Sequence, residues 1–422
     1  MTKVEPSLVD HLFRREAGKM VSYLTKLFGP SHLDLAEDIV QDALCRALQV
    51  WPVHGYPENP SAWLMRVAKH RALDLMRRAR SLRAVTPELE VLLNEGAAHV
   101  DELALDREIQ DDQLRMMFSC CHPALSSDAQ VTLILKTLCG FSVAEIANAL
   151  LVSEDSVEKR LGRARKVLRD SKSLMTIGTP GEIAGRLEAV YQAIYLLFNE
   201  GYHGSQSEDT VREELCYEAL RLGMLLTEHP SSARPKTFAL LALFCFHAAR
   251  LPGRVDQDGC LLQLAMQDRA KWDRELIGEG LRYLARAAVE SELSDFHVEA
   301  AIASLHSRAR TYEETDWLRI KELYDLLYGM RRSPVVALNR AIALGHLEGP
   351  ERGLEALGVL ESRERLASYP FFFAALGEFQ RALGRWDEAE RSFQRAAALA
   401  RNPAEQRFLQ ARADAAQNRA RG

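Results

Sequence analysis

Apolar residues return about every 3.6 positions along this chain, from one end to the other. No stretch alternates apolar with polar as a half-buried strand would. An all-α fold is therefore expected. At 422 residues with 47% apolar content, the chain is too long for one core and can fill several. Helix breaks are expected where Pro and Gly cluster: Gly29-Pro30, Trp51 to Pro60, Pro87 to Gly96, Ile177 to Gly181, Pro230 to Pro235, Pro252-Gly253 and Gly349-Pro350.

Whole classes of function fall away early. The start, Met1-Thr2-Lys3-Val4-Glu5, lacks the basic-then-apolar plan of a signal peptide. The longest apolar stretch, Phe238 to Phe246, is far short of the roughly 20 residues of a membrane span. A soluble cytoplasmic protein that makes no membrane contact is expected. Seven cysteines without CxxC spacing suit a reducing compartment. Cys120-Cys121-His122 resembles a metal cluster, but adjacent residues cannot easily wrap one tetrahedral ion and no second ligand pair follows. These thiols read as small buried apolar groups, and neither metal nor cofactor is expected.

Charge is unevenly distributed although the net is only −5. Ser61 to Arg83 carries seven Lys/Arg against one acid, and Ser153 to Lys172 carries seven against four. Between them, Thr86 to Asp112 holds nine acids and only Arg107 as a base. The net charge argues against indiscriminate nucleic-acid binding, and two basic stripes separated by an acidic tether are the pattern to explain.

The strongest local signal runs from Gly140 to Arg169. Ser142 can cap one helix, with Glu145 completing a capping box. After Leu151-Val152, Ser153 can cap a second helix whose first turn is acidic, Glu154 and Asp155. Val157, Leu161, Ala164 and Leu168 share one face and should pack inward, leaving Ser156, Lys159, Arg160, Arg163 and Lys166 outward. A helix-turn-helix places its second helix in the major groove, where such side chains read bases and grip phosphate. A solvated surface helix would explain the charges but not the paired caps and short turn.

The other stripe lies on Pro60 to Arg78. Trp63, Val67, Leu73 and Met76 are expected on its buried face, with Arg66, Lys69, His70, Arg77 and Arg78 available to a nucleic-acid backbone. The loop before it, Pro52 to Pro60, is long enough to shape a pocket for an unstacked base. A solvated helix would look similar. Between Leu35 and Leu48, Glu37, Asp38, Gln41 and Asp42 form an acidic ridge suited to a basic protein partner.

Residues 1–172 resemble the extracytoplasmic-function sigma factors, through "AEDIVQDAL", "NPSAWLMRVAKHRALDLMRR" and "FSVAEIANALLVSEDSVEKRLGRARKVL" in that order. The resemblance implies a three-helix sigma region 2 over 1–82, an acidic linker over 83–106, and a region 4 helix-turn-helix over 107–173. It implies that Glu37, Asp38, Gln41 and Asp42 dock on core RNA polymerase. Arg66, Lys69, His70, Arg77 and Arg78 would hold the −10 element of promoter DNA, and Ser156, Glu158, Lys159, Arg160, Arg163 and Lys166 would read the −35 element. Glu158 and Gly162 depart from the family's pattern and leave the promoter sequence open. Blocks such as "YLLFNEGYHGS", "LLALFCFHAARLPGR" and "SPVVALNRAIAL" resemble a subfamily whose sigma domains are fused to a tetratricopeptide-like extension, here 174–422.

Within that extension, Leu376, Gly377, Gly384, Ala389, Phe393 and Ala396 fit a tetratricopeptide register, with a degenerate repeat around Leu338 to Leu357. Several polar residues sit in apolar surroundings: Asn199, Glu200 and Tyr202; Asp268, Arg269 and Trp272; Asp316 and Trp317; Asn339 and Arg340. They read either as a hydrogen-bonded network joining helices or as a regulatory site for a small molecule or peptide, with Glu200 and Arg269 as charged contacts. An alternative sigma factor, monomeric when free and regulated in cis by its extension, is the leading expectation. A conventional helix-turn-helix regulator with a ligand-sensing helical domain is the alternative, but it leaves the second basic stripe unexplained. An enzyme using Glu200, His203, His247, Asp268 or His306 finds no nucleophile elbow, phosphate loop or HExxH to support it.

Overall fold

The computed structural model describes residues 6–80, 112–170, 180–203, 211–256, 260–289, 292–360, 366–400 and 403–421. Among them every extended element is a helix, and the one β-bridge joins Val255 to Leu261. The chain divides into two compact units, 1–197 and 198–422. The expected acidic linker, 83–106, lies outside the described residues.

In the first unit α1 (Pro6–Phe28), α2 (Leu33–His54) and α3 (Pro60–Arg80) pack around Met20, Leu24, Ile39 and Leu64, all essentially without solvent contact. The buried face of α3 is Leu64, Met65, Ala68, Ala72 and Leu73, whereas Trp63 and Val67 are half-buried. The side chain of Met76 lies outside the described residues. The expected break from Trp51 to Pro60 is shorter than anticipated, because α2 continues through Pro52 to His54. Trp51 anchors this last turn. It is buried beside Phe13, Tyr56 and Trp63, with ring centroids 5.6, 5.2 and 5.4 Å away. Gly55, at φ 85°, then ends the helix and donates its N–H to the Trp51 carbonyl.

A helix through 112–120 (α4), α5 (Ser127–Thr137), α6 (Val143–Leu150) and α7 (Glu154–Asp170) complete the compact part of this unit. α1 meets the end of α5 so closely that a Cβ on Gly18 would lie 2.5 Å from the Leu138 carbonyl oxygen. Helix α8 (Pro180–His203) begins in the first unit, and the boundary falls after its Leu197.

The second unit is built around α10 (Pro235–Ala248), which follows α9 (Glu213–Glu228). Every residue from Phe238 to Phe246 is buried. A helix apolar all round must be enclosed, and α9, α11 (Arg274–Ala287) and α12 (Asp295–Arg308) enclose it. The apolar run that stood out in the sequence is thus a core helix. Next come α13 (Trp317–Met330), α14 (Pro334–Glu348), α15 (Pro350–Gly358), α16 (Pro370–Ala382), α17 (Trp386–Leu399) and α18 (Pro403–Arg421). In the α16–α17 hairpin Phe393 is buried against Gly377, where an added Cβ would lie 2.8 Å from the ring. This is the close helix approach that the tetratricopeptide register requires.

Candidate nucleic-acid interface

Local chemistry builds the α6–α7 pair. The Ser142 N–H donates to Glu145 Oε2 at 2.7 Å and the Glu145 N–H to Ser142 Oγ at 3.2 Å, so the capping box is complete. Leu151 makes the turn at φ 55°, a left-handed conformation uncommon for a bulky residue, and its side chain is 76% exposed. The Ser156 N–H then donates to Ser153 Oγ at 3.3 Å. Val157, Leu161, Ala164 and Leu168 are buried, as their spacing anticipates. Glu158, Lys159, Arg163 and Lys166 are exposed, while Ser156 and Arg160 are half-buried. Lys159 pairs with Asp155 at 2.6 Å and Arg160 with Asp128 at 3.3 Å. The exposed side of α7 can therefore offer cationic forks and ammonium groups to phosphate, and one carboxylate to a base amino group.

On α3, Arg66 and His70 are exposed, but Lys69 departs from the expected stripe. It is only 7% exposed, and its ammonium lies 4.8 Å from the centre of the Tyr23 ring. Met65 precedes it and Ala72 and Leu73 follow it by one turn, so its aliphatic stem continues the buried face. The side chains of Arg77 and Arg78 lie outside the described residues.

On α2, Asp38, Gln41 and Asp42 are exposed, and Asp42 pairs with Arg71 of α3 at 3.0 Å. Glu37 is drawn inward. Its Oε2 accepts from Arg165 Nη2 of α7 at 2.6 Å, and Asp34 meets Arg165 at 3.2 Å and Arg169 at 3.4 Å. Burial raises the Glu37 pKa, against the lowering effect of Arg165. Arg14 of α1 adds a second link, to Glu145 at 3.0 Å and to the Gly140 carbonyl at 3.2 Å. Sequence reasoning missed Arg14, Asp34 and Arg165. Arg165 lies between the buried Leu161 and Leu168, one turn from each, so its place at the rim of the helix was readable but its partner was not.

Residues 12–82 match the family described as Sigma-70 region 2, and residues 115–168 match Sigma-70, region 4. Over 168 residues the chain is 32% identical to the ECF RNA polymerase sigma factor SigL of Mycobacterium tuberculosis, an alignment covering 39% of this chain and 89% of that relative. The chain belongs to the ECF sigma factors. The Ferric citrate uptake sigma factor FecI of Escherichia coli is 31% identical over 155 residues, 37% of this sigma factor and 85% of that one. The likeness to an uncharacterized protein (R00370) of Rhizobium meliloti spans the extension too: 39% identity over 389 residues, 91% of this chain and 90% of the relative. Within the sigma factor's extension, residues 186–288 match a family of unknown function (DUF6596) and residues 373–407 match a tetratricopeptide repeat. No solved structure matches. The sigma-70 families are not a class of enzymes. Among the described residues no helix is long and apolar enough to cross a membrane.

The polar residues singled out in the sigma factor's extension separate by charge. The acids serve local roles: Asp268 accepts from the Ala270 N–H and Asp316 from the Arg319 N–H, each at 2.9 Å, and both are exposed caps. Buried Glu200 faces Arg212 at 4.0 Å. Asn199 and Asn339 are half-buried, and Trp317 stacks on His346 at 4.2 Å. Tyr202, Arg269 and Trp272 are buried and lie among His247, Arg250, Arg254 and His306. Of those four, the sequence singles out His247 and His306 only as acid–base groups, and the two arginines not at all.

Proposed function

We propose that this sigma factor binds core RNA polymerase and directs promoter-specific transcription initiation. Its domains would be region 2 over 1–82, a linker over 83–106 and region 4 over 107–173. The observation that carries the reading is the doubly capped α6–α7 pair, which presents Glu158, Lys159, Arg163 and Lys166 on the exposed side of its second helix. These residues, with Ser156 and Arg160, read the −35 element, while Arg66 and His70 contact the strand being melted at the −10 element. Asp38, Gln41 and Asp42 form the polymerase-docking ridge, and Glu37 joins it when its pair with Arg165 opens.

The extension, 174–422, regulates the sigma domains in cis, since some 250 residues exceed what polymerase docking requires. Transcription in vitro with core polymerase and a genomic fragment library tests both parts. Discrete starts that share two promoter elements and depend on this protein are expected. Silence from both the full chain and residues 1–173, with no polymerase binding, would return the helix-turn-helix to a conventional regulator. Equal promoter output with and without residues 174–422 in cells would remove the cis-regulatory role.

A further inference from the structure

In the second unit, cationic and donor groups converge, and among the described residues no acid pairs with the three arginines at their centre. The guanidinium of Arg254 lies 3.6 Å from the centre of the Tyr202 ring, and those of Arg269 and Arg250 lie 4.7 and 5.5 Å from the Trp272 ring. His247 packs 5.1 Å from Tyr202. Among the described residues none of the three arginines has a carboxylate within salt-bridge reach. Described acids of this unit have other partners or lie farther off. Glu200 and Glu214 face Arg212, Glu378 pairs with Arg412, and Glu313 is exposed and acts on Arg269 only from beyond ion-pair distance.

Polar atoms in this cluster are also left over. Among the described residues, the donors Tyr202 Oη, Arg254 Nε, Arg269 Nη2 and Trp272 Nε1 are buried with no hydrogen-bond partner, as are the ring nitrogens Nδ1 of His247 and of His306. Tyr202, Arg269 and Trp272 are 5%, 7% and 2% exposed, so water does not serve these groups freely. Burying a donor unpaired is costly, and burying like charges together is more so. Arg269 is held in place by donating to the carbonyls of His306 and Ala309 at 2.6 and 2.7 Å, and Arg250 by the Gln267 side chain at 3.4 Å. His247, Arg250, Arg254 and His306 are only half-buried.

We propose that Arg250, Arg254, Arg269, His247, Tyr202 and Trp272 form a binding site for an oxyanion of the phosphate class, either inorganic phosphate or a phosphomonoester. Three fixed positive charges call for a multiply charged anion. Guanidinium forks match the edges of a tetrahedral oxyanion, and the phenol and indole supply neutral donors. A donor set with so few acceptors does not suit a cation or a sugar. The proposal goes beyond the sigma-factor reading, and its test needs neither DNA nor polymerase, so either can fail while the other stands.

The full chain is melted at neutral pH in chloride, and in inorganic phosphate and phenyl phosphate at matched ionic strength, with calorimetric titration of each phosphate. Phosphate is expected to raise the melting temperature by several degrees, because a ligand bound only by the folded state stabilises it. Arg254→Gln should weaken binding about tenfold or more, with little change in the melting temperature in chloride, because relief of like-charge repulsion offsets the lost contact with the Tyr202 ring. Arg269→Gln should also lose the phosphate response, at a lower starting temperature because two carbonyl bonds go with it. A larger effect of phenyl phosphate identifies an organic ligand, and equal effects identify free phosphate. Melting no higher in phosphate than in chloride, or an equal phosphate response in Arg254→Gln and the parent chain, overturns the site.

Discussion

Glu37 and Arg165, 128 positions apart in the chain, meet at 2.6 Å between the acidic ridge of α2 and the basic helix α7. Both side chains are about a quarter exposed or less, so water screens this pair less than a surface one. One of the four residues proposed to meet polymerase is thus held by the helix proposed to meet DNA. Asp34 with Arg165 and Arg169, and Arg14 with Glu145, add to the same contact.

If polymerase competes for Glu37, Arg165→Gln should tighten binding to core polymerase. Losing a pair worth about 1 kcal/mol corresponds to about fivefold in affinity. Fluorescence anisotropy of the labelled full chain against core polymerase measures it. Unchanged affinity would mean that the pair plays no part in polymerase access.

The boundary between what the sequence disclosed and what it withheld follows the range of the interactions. The capping box at Ser142 and Glu145 and the buried face from Val157 to Leu168 act within a turn or two, and the sequence pattern determines them directly. The partner of Arg165 lies across the fold, and no local pattern points to it. Charge alone groups Lys69 with Arg66 and His70, although the apolar residues one turn to either side mark it as inward. Asp268 and Asp316 stand out as polar groups among apolar ones, yet an aspartate just before a helix is commonly its cap. The arginines that do converge, Arg250 and Arg254, come together through a 3-10 turn at Leu251–Gly253 that leaves no periodic trace.

Two glycine substitutions should have opposite signs. A methyl at Gly377 would lie 2.8 Å from the Phe393 ring, which is buried and cannot easily yield. Overpacking of about 1–3 kcal/mol should outweigh the helix-propensity gain of about 1 kcal/mol in Gly377→Ala. A methyl at exposed Gly162 on α7 would meet nothing within 4 Å, so Gly162→Ala should gain that propensity without a clash. Thermal melts of both variants check the pair of signs.

Thiol reactivity should rank by burial. Cys45 on α2 is exposed, whereas Cys120, Cys121, Cys139, Cys216 and Cys245 are buried. Burial pushes the thiols of Cys121 and Cys245 up to about 12 and that of Cys120 well above its usual range, so little thiolate forms there. Iodoacetamide at pH 8 should modify Cys45 first, and peptide mapping should find the buried thiols unmodified until the fold opens. Early labelling of Cys120 or Cys121 would contradict the packing of α4.

Acid should weaken the extension before it weakens the sigma domains. Burial lowers His306 to about 3, helped by Arg250, Arg269 and His346, and it lowers His247 well below its usual range, helped by Arg250, Arg254, His203 and His306. Both imidazoles are therefore neutral in the fold, whereas in the unfolded chain they gain a proton near 6.5. Their contribution is complete above that value and falls as the pH drops below 6.5, for His306 down to about 3, by no more than about 1.4 kcal/mol per pH unit for each group. Glu37 works in the other direction. Its raised pKa means that protonation in acid relieves a buried charge in the first unit. Melting temperatures at pH 7.5, 6.5 and 5.5 should fall most steeply across the last interval, and His247→Gln should flatten that fall. Phosphate should flatten it as well, because a bound anion offsets the charge that the histidines acquire. A profile level down to pH 5.5 in chloride would mean that these imidazoles are better solvated than their surroundings indicate.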